Sequence, residues 1–262
     1  MTNESASLVV PPEVGPSLTK GVPVASTRKI AAVAGLLYLV THVTSIPGLI
    51  LYDSVLNDPG YIIGSGSDTL VLWGAFLEGI CALAIVGTAV TLFPVVKKQH
   101  EGVALGYVGL RTLEAAIITV GIVTLLAIVT LRQDVAGAVG ADATSLVTVG
   151  KALVAVHNWT FLLGPCFVLG MNTMLMAYLL HRSGLVPRFI AVLGLVGGPL
   201  IFASAIAVMF GLYEQLSVWG AVAAVPVFAW ELALAGRLIV KGFKPSVSTM
   251  NTVTADAGQL SH

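Results

Sequence analysis

The chain has 262 residues, of which 56% are hydrophobic and 10% charged, with a formal net charge of zero and a mean hydropathy of +0.95. A water-soluble domain carries about a quarter charged residues, because its surface must be solvated. So few charges exclude a water-soluble enzyme, and the absence of a basic field excludes a nucleic-acid binder.

Residues 1–27 are rich in Ser, Thr, Pro and Val and read as a disordered tail. The first apolar run, 30–52, is too long for the core of a cleavable signal and is expected to stay as a membrane helix. Five more runs follow at 69–96, 103–131, 151–180, 188–212 and 217–240. About twenty apolar residues cross the roughly 30 Å hydrocarbon layer, and only helices satisfy their own backbone polar groups there. The expectation is an all-α bundle of six transmembrane helices over 28–245, followed by a short polar tail at 246–262. Asp53 to Pro59 reads as a turn or short surface segment. Ser67 and Asp68 are placed to cap the second helix, and Gly242 and Pro245 to end the last. Cys81 and Cys166 fall inside apolar runs, without metal spacing, and read as packing residues.

Basic residues set the orientation. One set of segments carries Lys20, Arg28, Lys29, Lys97, Lys98, Arg182, Arg188, Arg237, Lys241 and Lys244; the other carries only Arg132 and Lys151. The alternation holds at every crossing and predicts that both tails are cytoplasmic.

An ionised side chain at the centre of a membrane helix costs about 2.5–3.5 kcal/mol on insertion scales. Glu78, Arg111, Glu114 and Glu231 all lie in apolar runs, with His42 midway along the first and His157 and Asn158 in the outer part of the fourth. Arg111 and Glu114 are three residues apart and share a helix face. Glu78 and Glu231 have no local cation. They are either protonated or turned toward Arg111 or a histidine, which would tie the second, third and sixth helices together.

Tyr38, Thr41, His42 and Ser45 form a polar stripe on the first helix, ahead of Pro47. Asn158, Pro165 and Asn172 recur every seven residues on the fourth. Such stripes line a wet cavity or make interhelical hydrogen bonds. Gly102/Gly106 and Gly194/Gly198 have the small-residue spacing of close helix contacts. Trp73, Trp159 and Trp219 are expected at the membrane interface. No metal-ligand pair, phosphate loop or dinucleotide fingerprint is present, so no cofactor is expected.

The segments LYDSVLNDP (51–59), ALGYVGLRTLEA (104–115), SGLVPR (183–188), GLYEQLS (211–217) and KGFKP (241–245) resemble a bacterial family of membrane proteins, catalogued as domain of unknown function 4386. The resemblance covers about 28–245. It implies a multi-pass protein of a bacterial inner membrane, and assigns no substrate, cofactor or catalytic residue.

Three functions compete. One is binding or transport of a small hydrophilic or amphipathic ligand, or of protons, at a site drawn from Glu78, Arg111, Glu114, Glu231, His42, His157 and Asn158. The second is a non-catalytic membrane subunit acting through protein contacts. The third is an intramembrane enzyme with Glu78 or Glu114 as base, which needs groups in hydrogen-bond reach around a substrate space and is the least favoured.

Overall fold

The computed structural model describes residues 24–64, 66–135 and 142–244. Eight α-helices form, and no strand occurs among the described residues: α1 (Val24–Leu51), α2 (Asp53–Asn57), α3 (Asp68–Val96), α4 (Glu101–Val135), α5 (Ala143–Leu162), α6 (Leu169–Ser183), α7 (Arg188–Met209) and α8 (Val218–Val240). A π-helical turn, Leu163–Val168, joins α5 to α6. Counting α5, the π-turn and α6 as one, six helices are long and apolar enough to cross a membrane. No more than 44% of any of these apolar windows is buried inside the protein. The rest is outward-facing hydrocarbon such as Leu36, Val43, Phe76, Leu83, Val123 and Phe189. A soluble bundle would turn charges outward; this one turns out apolar side chains, and the chain is a multi-pass membrane protein.

The spans close into a ring in which α1 packs on α3, α3 on α4, α4 on α5, the π-turn and α6, α6 on α7, α7 on α8, and α8 on α1. Small residues set the closest approaches. A Cβ on Gly35 would lie 2.8 Å from the Ala235 carbonyl of α8, and one on Gly170 would lie 2.8 Å from the Gly198 carbonyl of α7. Of the two glycine pairs read from the sequence, Gly194/Gly198 is a true close contact. Gly102 meets only His100, because it faces outward near the start of α4.

The start of α1 and the end of α8 lie at the same end of the bundle, called here the terminal end. There Arg28 donates from Nη1 to the Leu238 carbonyl at 3.1 Å and from Nη2 to those of Ile239 and Val240 at 2.6 and 3.2 Å. It thereby satisfies carbonyls that the end of α8 leaves without helical partners. Gly242 (φ +67) then turns the chain in the left-handed region, and the Lys244 amide reaches the Leu185 carbonyl at 2.7 Å. A dry core of Tyr38, Leu92, Tyr107, Met176, Trp230 and Leu234 fills this half.

At the opposite, distal end the sequence reading needs correction. At 1.5 Å per residue α4 runs about 50 Å and the α5–α6 span about 60 Å, well beyond a bilayer core. The fourth helix starts at Ala143 rather than residue 151, with Asp142 accepting the Thr144 amide as its cap. Residues 53–57, expected as a turn, form a short helix whose Val55 is buried. With Tyr52, Tyr61, Ile62, Leu125 and Ile128 it builds a second apolar core. Hydropathy misses these extensions because they are half-polar helices outside the bilayer. Ser67 makes no side-chain cap to α3. Asp68 instead accepts from Arg132 Nη1, from the Tyr61 hydroxyl at 2.9 Å and from Gln133 Nε2 at 3.2 Å, a stronger, charge-assisted arrangement. α1 begins within the segment read as tail, at Val24. Residues 1–23, 65, 136–141 and 245–262 lie outside the described residues.

Candidate functional site

Arg111 is the hub. It is 1% exposed, one turn from Glu114 on α4, and Nη1 donates to Glu114 Oε2 at 3.0 Å. Nε and Nη2 both donate to the Thr88 hydroxyl of α3, at 3.3 and 3.2 Å. The guanidinium also lies 5.4 Å from the Tyr38 ring centroid. Glu231 of α8 comes within 3.7 Å of Nη1 through Oε1, while its Oε2 lies 3.4 Å from His42 Nε2 of α1. Glu114 takes a second hydrogen bond at 2.7 Å from Asn172 of α6. Beneath it the Tyr38 and Tyr107 hydroxyls meet at 3.0 Å. Five helices therefore converge on one buried charge.

This cluster is the floor of a cavity of about 350 Å³ whose wall includes Glu78, Arg111, Glu114, Glu231, His42 and His157. The remaining wall is mainly apolar, with Leu49, Ile85, Ile118, Phe161 and Phe228 among it. The cavity sits between the two apolar cores. It exists because α5 packs chiefly on α4 and makes little contact with α1, α7 or α8. Pro165 contributes: lacking an N–H, it disrupts a regular α-turn, and the chain absorbs it as the π-turn.

The π-turn also breaks the stripe read on this span. Residues seven apart stay nearly in phase only on an uninterrupted α-helix. Asn172 faces inward onto Glu114, whereas Asn158 is exposed and borders a separate cavity of about 170 Å³ beside Asp58, Tyr61 and Lys151. Asn158 therefore lines this second cavity rather than the first, while its side chain interacts with neighbouring His157.

Glu78 lies higher than the hub. It is about 27 Å along α3 from the terminal end, against about 15 Å for Arg111 along α4. It is 8% exposed, and no cation pairs with it among the described residues. The Tyr52 hydroxyl lies close to its carboxylate without a well-formed hydrogen bond. The Tyr52 ring stands edge-on to His157 at 5.8 Å, and buried His157 Nδ1 has no hydrogen-bond partner among the described residues. Buried polar atoms are nearly always satisfied; of these three residues Glu78 and His157 line the cavity, whereas Tyr52 does not.

Sequence reasoning missed Thr88 and Tyr107. A threonine in a membrane helix commonly bonds its own backbone, as Thr88 also does to Ile85 at 2.7 Å, so it carries no signal. Trp230, the fourth tryptophan, is not an interface anchor but 1% exposed, edge-on to Tyr38.

A family model described as a domain of unknown function (DUF4386) matches residues 33–242. No curated protein matches the chain, and no solved structure does.

Proposed function

The chain belongs to the DUF4386 family, a domain of unknown function, and from that premise we propose that it binds a small ligand in the intramembrane cavity and moves it, or protons with it, across the bilayer. The observation that carries this reading is the cavity itself. At about 350 Å³ it has the size of a small-molecule site, with apolar walls and a few convergent polar groups. A purely structural ion network gains nothing from bordering open space. Ionisable groups turned toward a cavity inside a membrane protein mark substrate or proton pathways.

Within this proposal Arg111 does not hold an anion. Its Nε, Nη1 and Nη2 each already donate to Thr88 or Glu114, and the guanidinium serves to orient Glu114 and Glu231. The basic residues Arg28, Lys29, Lys97, Lys98, Arg182, Arg188, Arg237, Lys241 and Lys244 crowd the terminal end. The excess of Lys and Arg that marks cytoplasmic segments supports cytoplasmic termini in a bacterial inner membrane, with the cavity toward its outer half.

The test is a set of single Glu→Gln changes at 78, 114 and 231, assayed in proteoliposomes with a pH-sensitive dye inside. Proton movement or ligand uptake that disappears in folded variants supports the proposal. Full retention in all three overturns it.

A further inference from the structure

We propose that the ligand class of this cavity is an amphipathic amine, held with its ammonium group against Glu78 and its apolar chain along the cavity wall. This inference rests on the binding function proposed above and deepens it.

Charge balance points to a cation. One guanidinium, Arg111, faces three carboxylates, Glu78, Glu114 and Glu231, on the wall of the same cavity. Two of those are accounted for: Glu114 by Arg111 and Asn172, Glu231 by Arg111 and His42. Among the described residues Glu78 alone has no cation. An unbalanced charge at this depth is costly, and an incoming ammonium would offset it.

Hydrogen-bond chemistry narrows the cation. An ammonium group has three donors and no acceptor. On the cavity wall the two oxygens of the Glu78 carboxylate are the matching acceptors. A quaternary ammonium has no N–H to give them, and an anion would meet Glu78 head-on. The rest of the wall, from Leu49 and Ile85 to Phe161 and Phe228, suits an alkyl or aryl body rather than a hydrated inorganic ion. Two sources share this chemistry, a free lipophilic amine and the headgroup of an aminophospholipid.

The test uses the full chain in maltoside micelles at pH 7, titrated by calorimetry with octylamine, octanol and octanoate. Alkylamines are protonated there, since an aliphatic ammonium has a pKa near 10.4. The expected result is octylamine at least tenfold tighter than octanol and no octanoate binding. Glu78→Gln brings the amine down to the octanol affinity, with octanol unchanged. Glu78→Asp, which keeps the charge but draws it back from the cavity, lowers only the amine affinity severalfold and serves if Glu78→Gln does not fold. Equal amine and octanol affinities in the unmodified protein, or a preference that survives both substitutions, overturn the amine class while leaving the cavity as an apolar binding site. Failure of all three probes to bind overturns the binding function as well. Repeating the octylamine titration in phosphatidylcholine nanodiscs, with and without phosphatidylethanolamine, separates the sources. Competition identifies the lipid headgroup, and an unchanged affinity identifies a free amine.

Discussion

The His42 imidazole on α1 and the Glu231 carboxylate on α8 approach to 3.4 Å across the helix seam where the ring of spans closes. The same carboxylate lies 3.7 Å from Arg111, so the seam is joined to the hub through one side chain. Groups that share a buried network do not contribute independently. A double-mutant cycle with His42→Gln and Glu231→Gln is expected to show a coupling of about 0.5–3 kcal/mol, read from unfolding in mixed detergent micelles. Additive losses would show that the two side chains act separately.

Arg111→Met leaves Glu114 buried without its cation. Removing one partner of a buried pair costs about 3–5 kcal/mol, so a marked drop in melting temperature and yield is expected. Arg111→Lys should recover little of it. One ammonium does not reproduce the fork that reaches Thr88 from Nε and Nη2 and Glu114 from Nη1. A lysine variant as stable as the original would mean that charge alone matters.

Two glycines make a matched pair for testing close helix packing. A Cβ on Gly194 would stand 2.5 Å from Trp230 Nε1 and 2.8 Å from the Ala177 Cβ, whereas one on Gly79 meets nothing within 4 Å. Gly194→Ala is expected to destabilise by about 1–3 kcal/mol through overpacking. Gly79→Ala should be neutral, or stabilising by up to about 1 kcal/mol from helix propensity. Thermal unfolding of the two variants side by side checks the order.

At the distal end the Tyr61 phenol is pushed up to about 12, first by burial and then by its hydrogen bond to Asp68. The unfolded phenol ionises near pH 10, so between about pH 10 and 12 the unfolded chain sheds a proton that the folded chain keeps. The contribution of Tyr61 is thus fully present below pH 10 and is lost as pH rises toward 12. Tyr61→Phe is expected to flatten the fall in stability over that window. The tyrosinate absorbance should lose a step near pH 12 in the same variant.

What the sequence by itself determined follows from short-range physics. Six apolar runs force six helices, because hydrocarbon leaves the backbone no other partner. The Arg111–Glu114 pair was legible because residues three apart meet on any α-helix. That Glu78 and Glu231 needed an answer was legible from their cost in lipid. Which answer each received depended on how the helices rotate against one another, and no local pattern encodes that. The tertiary structure gave Glu231 a histidine from the far end of the chain and, among the described residues, gave Glu78 no cation. It moved Asp68 from a helix cap to Arg132. A π-turn at Pro165 sent Asn172 to the hub and left Asn158 outside. Spans are set by composition along the chain, whereas the cavity is set by where α5 fails to touch α8, and that is decided only when the ring of helices closes.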